Sequence, residues 1–316
     1  MLTAAGSTRL RAAVAIGVIA LLLSEMQAAL PSPGFSDFVD PWLGARALLR
    51  GESPYAAVWA AHPGLALYYP PAGVLLILPL ALLPRVHAEA IFIGIGVGTL
   101  AYAGWGRPLI VACLSASVLA SVAMGQWTPL LTASALLPAL GFLWACKPSV
   151  GLALALGYAR RGSVALALAL TGLTAALWPH LFRAWLAGLS GSPHVMPILR
   201  PGGAVLLLAL LRWRRPEARM LAALACIPQL GMLYETVPLF LIPRSRWDAY
   251  ALAACTHLAG LLMYLHRGAG LPLVTELTRQ WPIMLVLVYL PALALVLRDR
   301  PVWGEAWRQD TEATAA

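Results

Sequence analysis

Apolar runs recur along almost the whole chain, and they constrain its fold more than any other feature. They are continuous, rich in leucine and alanine, and separated by short connectors. A membrane-spanning helix needs about 20 mainly apolar residues, whereas a transmembrane β-barrel shows alternating segments of about ten. The runs therefore predict helices that satisfy their own backbone hydrogen bonds in lipid. Candidate spans lie near 11–30, 71–84, 88–104, 108–123, 127–146, 148–159, 163–178, 202–212, 218–243, 249–266 and 280–297.

These runs predict an all-α, polytopic membrane bundle with about ten or eleven transmembrane segments. The runs at 148–159 and 202–212 are too short to cross alone, so we expect some segments to be tilted, re-entrant or broken. A chain that is 60% hydrophobic and 11% charged fits an integral membrane protein. We expect one membrane-embedded domain over residues 1–297 and a short polar tail over residues 298–316.

The net charge of +9 comes almost entirely from arginine, with Lys147 as the only lysine. The arginines fall in short connectors rather than in one patch, so nucleic-acid binding is not expected. Basic connectors suit topology signals and contacts with anionic membrane lipids. Arg9 and Arg11 precede an apolar stretch as in a signal peptide, but its length and the close following span favour an uncleaved first helix.

Alternating crossings predict which connectors share a side of the membrane. If Arg9 and Arg11 hold the N-terminus inside, the loop at 31–71 is outside. The connectors then predicted inside carry Arg85, Arg160, Arg161, Arg212, Arg214 and Arg215. Those predicted outside with the loop contain Lys147, residues 179–200 and residues 244–248.

The first outer loop, residues 31–71, is a polar segment in an otherwise mainly apolar chain. Its ionisable residues are Asp37, Asp40, Arg46, Arg50, Glu52 and His62. Apolar residues at Phe38, Trp42, Ala45 and Leu49 have helical spacing, which predicts an amphipathic surface helix over residues 38–50. We expect Gly51 to end it, Ser53 and Pro54 to turn the chain, and Pro71 to begin the next span.

Three polar residues each have a structural and a functional interpretation. Asp37 would cap the surface helix or act in chemistry. Lys147 would extend its ammonium to the interface or bind a phosphate. Glu235, inside an apolar run, would pair with an arginine of the first loop or belong to a site, because buried acids in membranes are costly.

Other polar and glycine patterns carry less weight. His62, His180 and His194 are all predicted outside, but no two have helical ligand spacing, so no metal site is expected. His257, alone on an apolar helix, is interpreted as a packing residue. Gly94, Gly96 and Gly98 imitate a dinucleotide loop, yet no strand precedes them, and close helix packing explains them better.

A string of spaced motifs in and after the first loop resembles a known family. It comprises Asp37, the segment 45–49, Gly51, Pro54-Tyr55, Tyr69-Pro70-Pro71 and the proline-bounded segment 78–84. It is similar to the first outer loop of the polyprenol-phosphate-mannose-dependent α-mannosyltransferases, glycosyltransferase family 87 of the C-type membrane superfamily. Further similar segments, which extend the resemblance over about three quarters of the chain, are Gly125-Gln126, Lys147-Pro148, Pro228-Gln229 and Tyr234-Glu235.

The resemblance implies that Asp37 is the catalytic base of an inverting single displacement. Asp40 stands where the family usually has an apolar residue, and it would share or replace that role. We expect Lys147 and Arg46 to bind the donor phosphate, and the substrate-binding residues to be Tyr55, His62, Tyr69, Gln126, Tyr234 and Glu235.

The implied donor is a polyprenyl-phosphate sugar, mannose by resemblance, and the implied acceptor is a hydroxyl of a lipid or glycan. The chain has no P-loop, no G-x-S-x-G motif and no room for a soluble nucleotide-sugar domain, which favours a lipid-linked donor. No cofactor is expected. The implied location is a bacterial inner membrane, with the site facing outward and membrane lipids around it.

A transporter or flippase without chemistry is the alternative. In that case Lys147, Glu235 and the loop arginines would escort a phosphate headgroup across the membrane. A flippase needs cations spread through the membrane depth, whereas a transferase needs the acid and the cation on one side. Alternation puts Asp37 and Lys147 on one side, which favours the enzyme.

Overall fold

The computed structural model describes residues 4–28, 36–63, 66–191, 194–268, 270–271 and 273–298. All of its regular elements within these ranges are helical, which confirms the prediction of an all-α membrane bundle. The α-helices are α1 (Ala4–Ala28), α2 (Val39–Leu49), α3 (Pro54–Ala61), α4 (Pro71–Ile77), α5 (Arg85–Gly104), α6 (Ala116–Ala123), α7 (Thr128–Ser134), α8 (Pro148–Tyr158), α9 (Arg161–Leu177), α10 (Pro179–Gly188), α11 (Pro216–Cys226), α12 (Arg246–Leu265), α13 (Leu273–Met284) and α14 (Leu290–Arg298).

Tighter helical turns connect many of these helices. The 3-10 segments are Leu80–Leu82, Pro108–Leu114, Pro138–Ala145, Leu189–Gly191, Pro197–Leu199, Gly203–Arg212 and Leu233–Leu241. A π-helical turn, Leu285–Tyr289, joins α13 to α14. Of the predicted polar tail at 298–316, only Arg298 lies within the described residues, where it ends α14.

Four helices in the described part of the chain are long and apolar enough to cross a membrane. They are Gly6–Ala28, Arg85–Gly104, Arg246–Leu265 and Thr275–Arg298. A fifth is counted if α9 and α10, which bend by 107° at Trp178, are one broken span. About ten or eleven spans were predicted from the sequence, because each apolar run was interpreted as one continuous helix. Prolines instead divide several runs into short helices, as Pro138 does after α7.

The predicted surface helix of the first loop is present as α2. Phe38, Trp42 and Ala45 are buried as expected, whereas Leu49 is 51% exposed. Gly51 adopts φ 75° just after the helix, a conformation that favours glycine. Ser53 does more than turn the chain, because its hydroxyl caps α3 by accepting from the Ala56 N–H.

The antiparallel helices α1 and α5 pack with their backbones unusually close. A Cβ on Gly17 would lie 2.7 Å from the carbonyl oxygen of Gly94, and one on Gly98 would lie 3.1 Å from that of Ala13. Gly96 faces Leu130 of α7 instead, at an ordinary 3.6 Å. The interpretation of these glycines as packing residues is therefore confirmed.

The contacts of α1 and α5 define the two ends of the bundle. Arg9 donates to the Tyr102 carbonyl at 2.7 Å, where α5 finishes. At the other end His87 contacts Glu25 at 2.7 Å, and Ser36, next to Asp37, donates to Glu89 at 2.6 Å. We call this second end the Asp37 end.

Arg85 lies at the Asp37 end, so the prediction that it lies on the opposite side is wrong. It pairs with Glu89, which also accepts from Ser36 beside Asp37. The run at 71–84 does not cross the bundle, because α4 has only seven residues and Trp42 of α2 donates to the Leu83 carbonyl. A seven-residue helix spans about 10 Å, well short of a bilayer.

The run at 127–146 is a hairpin rather than a crossing. Its arms are α7 and the 3-10 segment Pro138–Ala145, joined by a 2.8 Å hydrogen bond from Trp144 to Ser134. Gln126 precedes the first arm and Lys147 follows the second, and their side chains are 2.7 Å apart. The hairpin therefore returns the chain to the Asp37 end, where Lys147 was predicted.

Arginines gather at the opposite end of the bundle. Arg219 donates to the Leu156 and Gly157 carbonyls at the end of α8 remote from Lys147. Arg212 and Arg215 bind carbonyls in the last turn of α14. Arg298 pairs with Asp248 at 2.9 Å in the same region. Residues 244–248 thus lie at this arginine end, which corrects their predicted position beside Lys147.

Candidate active site

Asp37 is the first residue of the site, and it lies just before α2. Its backbone N–H donates to the Met124 carbonyl at 3.0 Å. Its carboxylate oxygen Oδ2 accepts hydrogen bonds from the Gln126 side-chain nitrogen and from the Tyr234 hydroxyl, the latter at 3.3 Å. The N-cap position of α2 is Phe38, without a side-chain cap. The capping interpretation of Asp37 is therefore wrong.

Lys147 reaches Asp37 through a single amide group. Lys147 Nζ donates to Gln126 Oε1 at 2.7 Å, while Nε2 of the same amide donates to Asp37. Gln126 is only 1% exposed, so both hydrogen bonds are shielded from water. The acid and the cation thus converge on one buried side chain.

Two tyrosines form the walls around the ammonium group. The rings of Tyr69 and Tyr234 each have their centroid 5.4 Å from Lys147 Nζ, within cation–π range. The Tyr69 hydroxyl lies 3.5 Å from the same nitrogen. Behind Tyr69, the fully buried Trp127 packs between Tyr69 and Phe92. The aromatic layer holds the Lys147 side chain in place. Burial lowers the pKa of Lys147, and the charges of Asp37 and Glu235 oppose that shift.

Gly125 lets the chain pass close enough to place Gln126 in the site. It has φ +61°, and a Cβ there would lie 2.5 Å from Ser36 Oγ and 2.7 Å from Phe38 Cβ. It would also lie 2.8 Å from Glu89 Oε1. Only glycine fits this backbone and this space.

Asp40 and His62 form a second pair beside Asp37. Asp40 lies in the first turn of α2, His62 follows α3, and their Oδ1 and Nδ1 atoms are 3.0 Å apart. The Asp40 side chain is 14% exposed and that of His62 is 33% exposed. Tyr55 of α3 donates its hydroxyl to the Tyr69 carbonyl at 3.1 Å, which ties α3 to the site.

Arg46 lies apart from this cluster, whereas Glu235 lies near Lys147 but makes its hydrogen bonds with the backbone. Arg46 is exposed on α2, with its guanidinium 5.0 Å from the Trp42 ring. The buried Glu235 carboxylate accepts from the backbone N–H groups of Leu230, Gly231 and Met232 at 2.6–3.0 Å. Glu235 therefore stabilises the turn before Tyr234, and the predicted partner from the first loop is replaced by backbone donors.

The sequence indicated no role for Ser36, Glu89 or His194, which lie at or beside the site. Ser36 and Glu89 hydrogen bond beside Gly125, and Glu89 also binds Arg85. An acid inside the 20-residue helix α5 was an available signal. His194 lies 5.3 Å from the Tyr68 ring, and burial together with the Lys147 charge lowers its pKa to about 4.

Asp37 and Asp40 differ electrostatically from surface carboxylates. Burial raises the pKa of Asp37, against the opposing effects of the Lys147 charge and of the hydrogen bonds from Gln126 and Tyr234. Burial also raises the pKa of Asp40, opposed by His62 and reinforced by Asp37. A carboxylate with a raised pKa is a better proton acceptor near neutral pH than an ordinary one.

Comparisons of the chain with protein-family models, with curated proteins and with solved structures found no match. The resemblance to glycosyltransferase family 87 therefore rests on the motifs themselves. The structure brings five residues with predicted roles into one cluster, which we call the Asp37 cluster: Asp37, Tyr69, Gln126, Lys147 and Tyr234.

Proposed function

We propose that this multi-pass membrane protein is a glycosyltransferase. It transfers a sugar, mannose by resemblance, from polyprenyl phosphate to an acceptor hydroxyl with inversion at the anomeric carbon. The observation that carries the proposal is the attachment of Asp37 and Lys147 to the two ends of the Gln126 amide. One sugar phosphate can contact an acid and a cation together only when they converge in this way.

The reaction is a single displacement. The acceptor oxygen forms a bond to the anomeric carbon as the bond from that carbon to the phosphate oxygen breaks. The electron pair leaves with the phosphate, and the acceptor proton moves to Asp37. Among the described residues, the hydrogen-bond donors reach only Oδ2 of Asp37, so we assign the acceptor proton to Oδ1.

Lys147 stabilises the departing phosphate. The ammonium is a compact charge, it is surrounded by Tyr69 and Tyr234, and it has little competing water. Positive charge placed where negative charge develops is worth more in such a shielded site. The polyprenyl chain would remain in the bilayer. The arginine-rich opposite end supports an outward-facing Asp37 end in a bacterial inner membrane.

The test uses purified protein in liposomes with radiolabelled polyprenyl-phosphate mannose. A lipid and glycan extract of the source cells supplies the acceptor. Wild type should transfer the label to extract components. Asp37→Asn should lose transfer but still bind the donor, because the substitution removes the base and keeps the shape.

A matched pair of cation variants tests the phosphate assignment. Lys147→Met should weaken donor binding by about 10- to 100-fold, the range expected when a charged hydrogen bond of about 1.5–3 kcal/mol is lost. Arg46→Met, which removes an exposed cation of the first loop, should leave donor binding unchanged. Label that crosses the bilayer without sugar transfer would instead support a flippase.

A further inference from the structure

Arg200 is a buried arginine with no part in the displacement, and only 8% of it is exposed. Its guanidinium group donates to the Leu230 carbonyl at 2.8 Å and contacts the Gln229 carbonyl at 3.5 Å. It also donates to the Leu277 carbonyl of α13 at 3.4 Å. Arg200 therefore ties the turn at 229–232 to α13.

The turn at 229–232 lies between Arg200 and Glu235. The peptide group that joins Leu230 to Gly231 accepts from Arg200 at its oxygen and donates to Glu235 at its nitrogen, the latter at 2.6 Å. The preceding peptide group does the same, with its N–H donating to Glu235 at 3.0 Å. Two successive peptide groups thus each join a cation to an anion, and both are oriented by charge.

Gln229 fixes the start of this turn. Its backbone pairs with that of Val195 through hydrogen bonds of 3.0 and 3.1 Å. Its side chain accepts from the Tyr289 hydroxyl at 3.0 Å and donates to the Leu224 carbonyl. The turn therefore begins at a fixed point, and Glu235 holds its other end.

Through Tyr234, the residue before Glu235, this arrangement reaches the Asp37 cluster. The Tyr234 hydroxyl donates to Asp37 Oδ2 at 3.3 Å, and the Tyr234 ring faces Lys147. A hydrogen bond of this length is already longer than most between oxygens, so a small displacement of Tyr234 would break it.

We infer that Arg200 and Glu235 are positioning residues, which hold the Tyr234 hydroxyl on Asp37 through the turn at 229–232. Neither side chain needs to touch the substrate for this purpose. The value of the arrangement for sugar transfer rests on the proposed function, because it is Asp37 that takes the acceptor proton.

The experiment measures the ionisation of Asp37 by infrared titration of the purified protein in liposomes. The protonated carboxyl band that is absent in Asp37→Asn identifies this group, and no substrate is needed. The titratable groups near Asp37 are Asp40 on α2, Tyr69 before α4, Lys147 before α8, and Tyr234. Only Tyr234 follows directly from the turn.

Tyr234→Phe and Arg200→Lys should move the titration midpoint in the same direction. Burial raises the pKa of Asp37 and the Tyr234 hydrogen bond opposes that rise, so Tyr234→Phe should give a higher midpoint. Arg200→Lys keeps the charge but lacks the planar fork that contacts two carbonyls of the turn. It should also give a higher midpoint, because the turn and Tyr234 shift.

Glu235→Gln separates position from charge. Loss of a negative charge alone would favour the ionised form of Asp37 and lower its midpoint. The amide nitrogen of glutamine cannot accept the N–H groups that the carboxylate accepts, so the turn is released and the midpoint should rise instead. Because glutamine keeps the size of the side chain, this variant decides the question even if Arg200→Lys does not fold.

A double variant and a matched control make the test specific. In the Tyr234→Phe protein, neither Arg200→Lys nor Glu235→Gln should raise the midpoint further, because the hydrogen bond is already lost. Arg219→Met is the control, since Arg219 also binds backbone carbonyls, but at the arginine end. It should leave the midpoint unchanged.

The possible failures are distinguishable. The positioning role is overturned if Glu235→Gln leaves the midpoint unchanged or lowers it, or if the rise persists in the Tyr234→Phe protein. Wild type that transfers no sugar would defeat the proposed function alone, because the titration still reports whether the turn holds Tyr234 on Asp37. If wild type does transfer sugar, the midpoint of kcat/KM should move with the infrared midpoint in each variant.

Discussion

Lys147 and Asp37 bind opposite ends of the same amide, with Lys147 Nζ 2.7 Å from Gln126 Oε1 and the amide nitrogen donating to Asp37. An amide satisfies a cation and an anion at once only in this orientation, since its oxygen accepts and its nitrogen donates. The acid and the cation are thereby kept near each other without direct contact.

Gln126→Leu should therefore impair both folding and transfer. The change leaves an ammonium and a carboxylate partly buried without their shared partner, which costs about 1–3 kcal/mol. We expect a lower midpoint in thermal unfolding and loss of sugar transfer. Gln280→Leu is the control, because that buried glutamine binds the Met263 carbonyl away from the Asp37 cluster. Equal transfer by the two variants would contradict the bridging role.

The pH dependence of transfer should follow ionisation of Asp37. Burial raises the pKa of this carboxyl, so the rate should climb with pH through a midpoint above the usual range for aspartate. The Tyr234 hydrogen bond opposes that rise. Tyr234→Phe removes it and should move the midpoint to still higher pH, measured from kcat/KM profiles.

Tyr55→Phe provides the matched comparison for Tyr234→Phe. The Tyr55 hydroxyl donates to the Tyr69 carbonyl and not to Asp37. Its removal should leave the midpoint where it is in wild type. A midpoint that moves to lower pH in Tyr234→Phe would mean that the tyrosine hydroxyl destabilises the ionised acid.

The sequence predicted the helical class of the fold and the boundaries of α2, because apolar spacing reports which faces are buried. It did not reveal where apolar runs break. Alternation counted both 71–84 and 127–146 as crossings, and neither crosses the bundle. The two errors cancel, which is why Lys147 was placed correctly while Arg85 was not. A helix can break at a proline only where tertiary partners bind the freed backbone groups. The hydrophobic periodicity of a sequence carries no information about those partners.

Motifs indicated the Asp37 cluster better than composition did. The spaced matches pointed to Asp37, Gln126 and Lys147, which meet in the structure. Arg46 shows the limit of the approach. It shares a motif with Ala45 and Ala47, but the rotation of α2 buries those alanines and turns the arginine outward. Helix rotation is set by packing, which a motif does not encode.

The corrected topology can be checked by thiol labelling. In a background with the native cysteines replaced, His87→Cys and Glu52→Cys should both react with a membrane-impermeant maleimide applied from one side. Arg161→Cys should react only from the other side. The prediction follows from the contact of His87 with Glu25 at the Asp37 end. Labelling of His87→Cys together with Arg161→Cys would restore a crossing at 71–84.

Gly125→Ala should be more damaging than an alanine at another glycine with the same backbone. Gly125 and Gly106 have φ +61° and +77°, so alanine carries a similar backbone strain at both, about 1–3 kcal/mol. At Gly106 nothing lies within 4 Å of the added Cβ, whereas at Gly125 it would meet Ser36, Phe38 and Glu89 within 2.8 Å.

The difference in stability and transfer between these two variants isolates the effect of the steric contact made by the added Cβ at Gly125. Relieving the contact at Gly125 must move the Met124 carbonyl away from the Asp37 N–H, or move Gln126 out of the site, because both neighbours are fixed by hydrogen bonds. We expect Gly125→Ala to unfold at lower temperature than Gly106→Ala and to lose transfer, while Gly106→Ala keeps it. Similar stability and activity in the two proteins would mean that the close approach at Gly125 is not needed to hold Gln126 between Asp37 and Lys147.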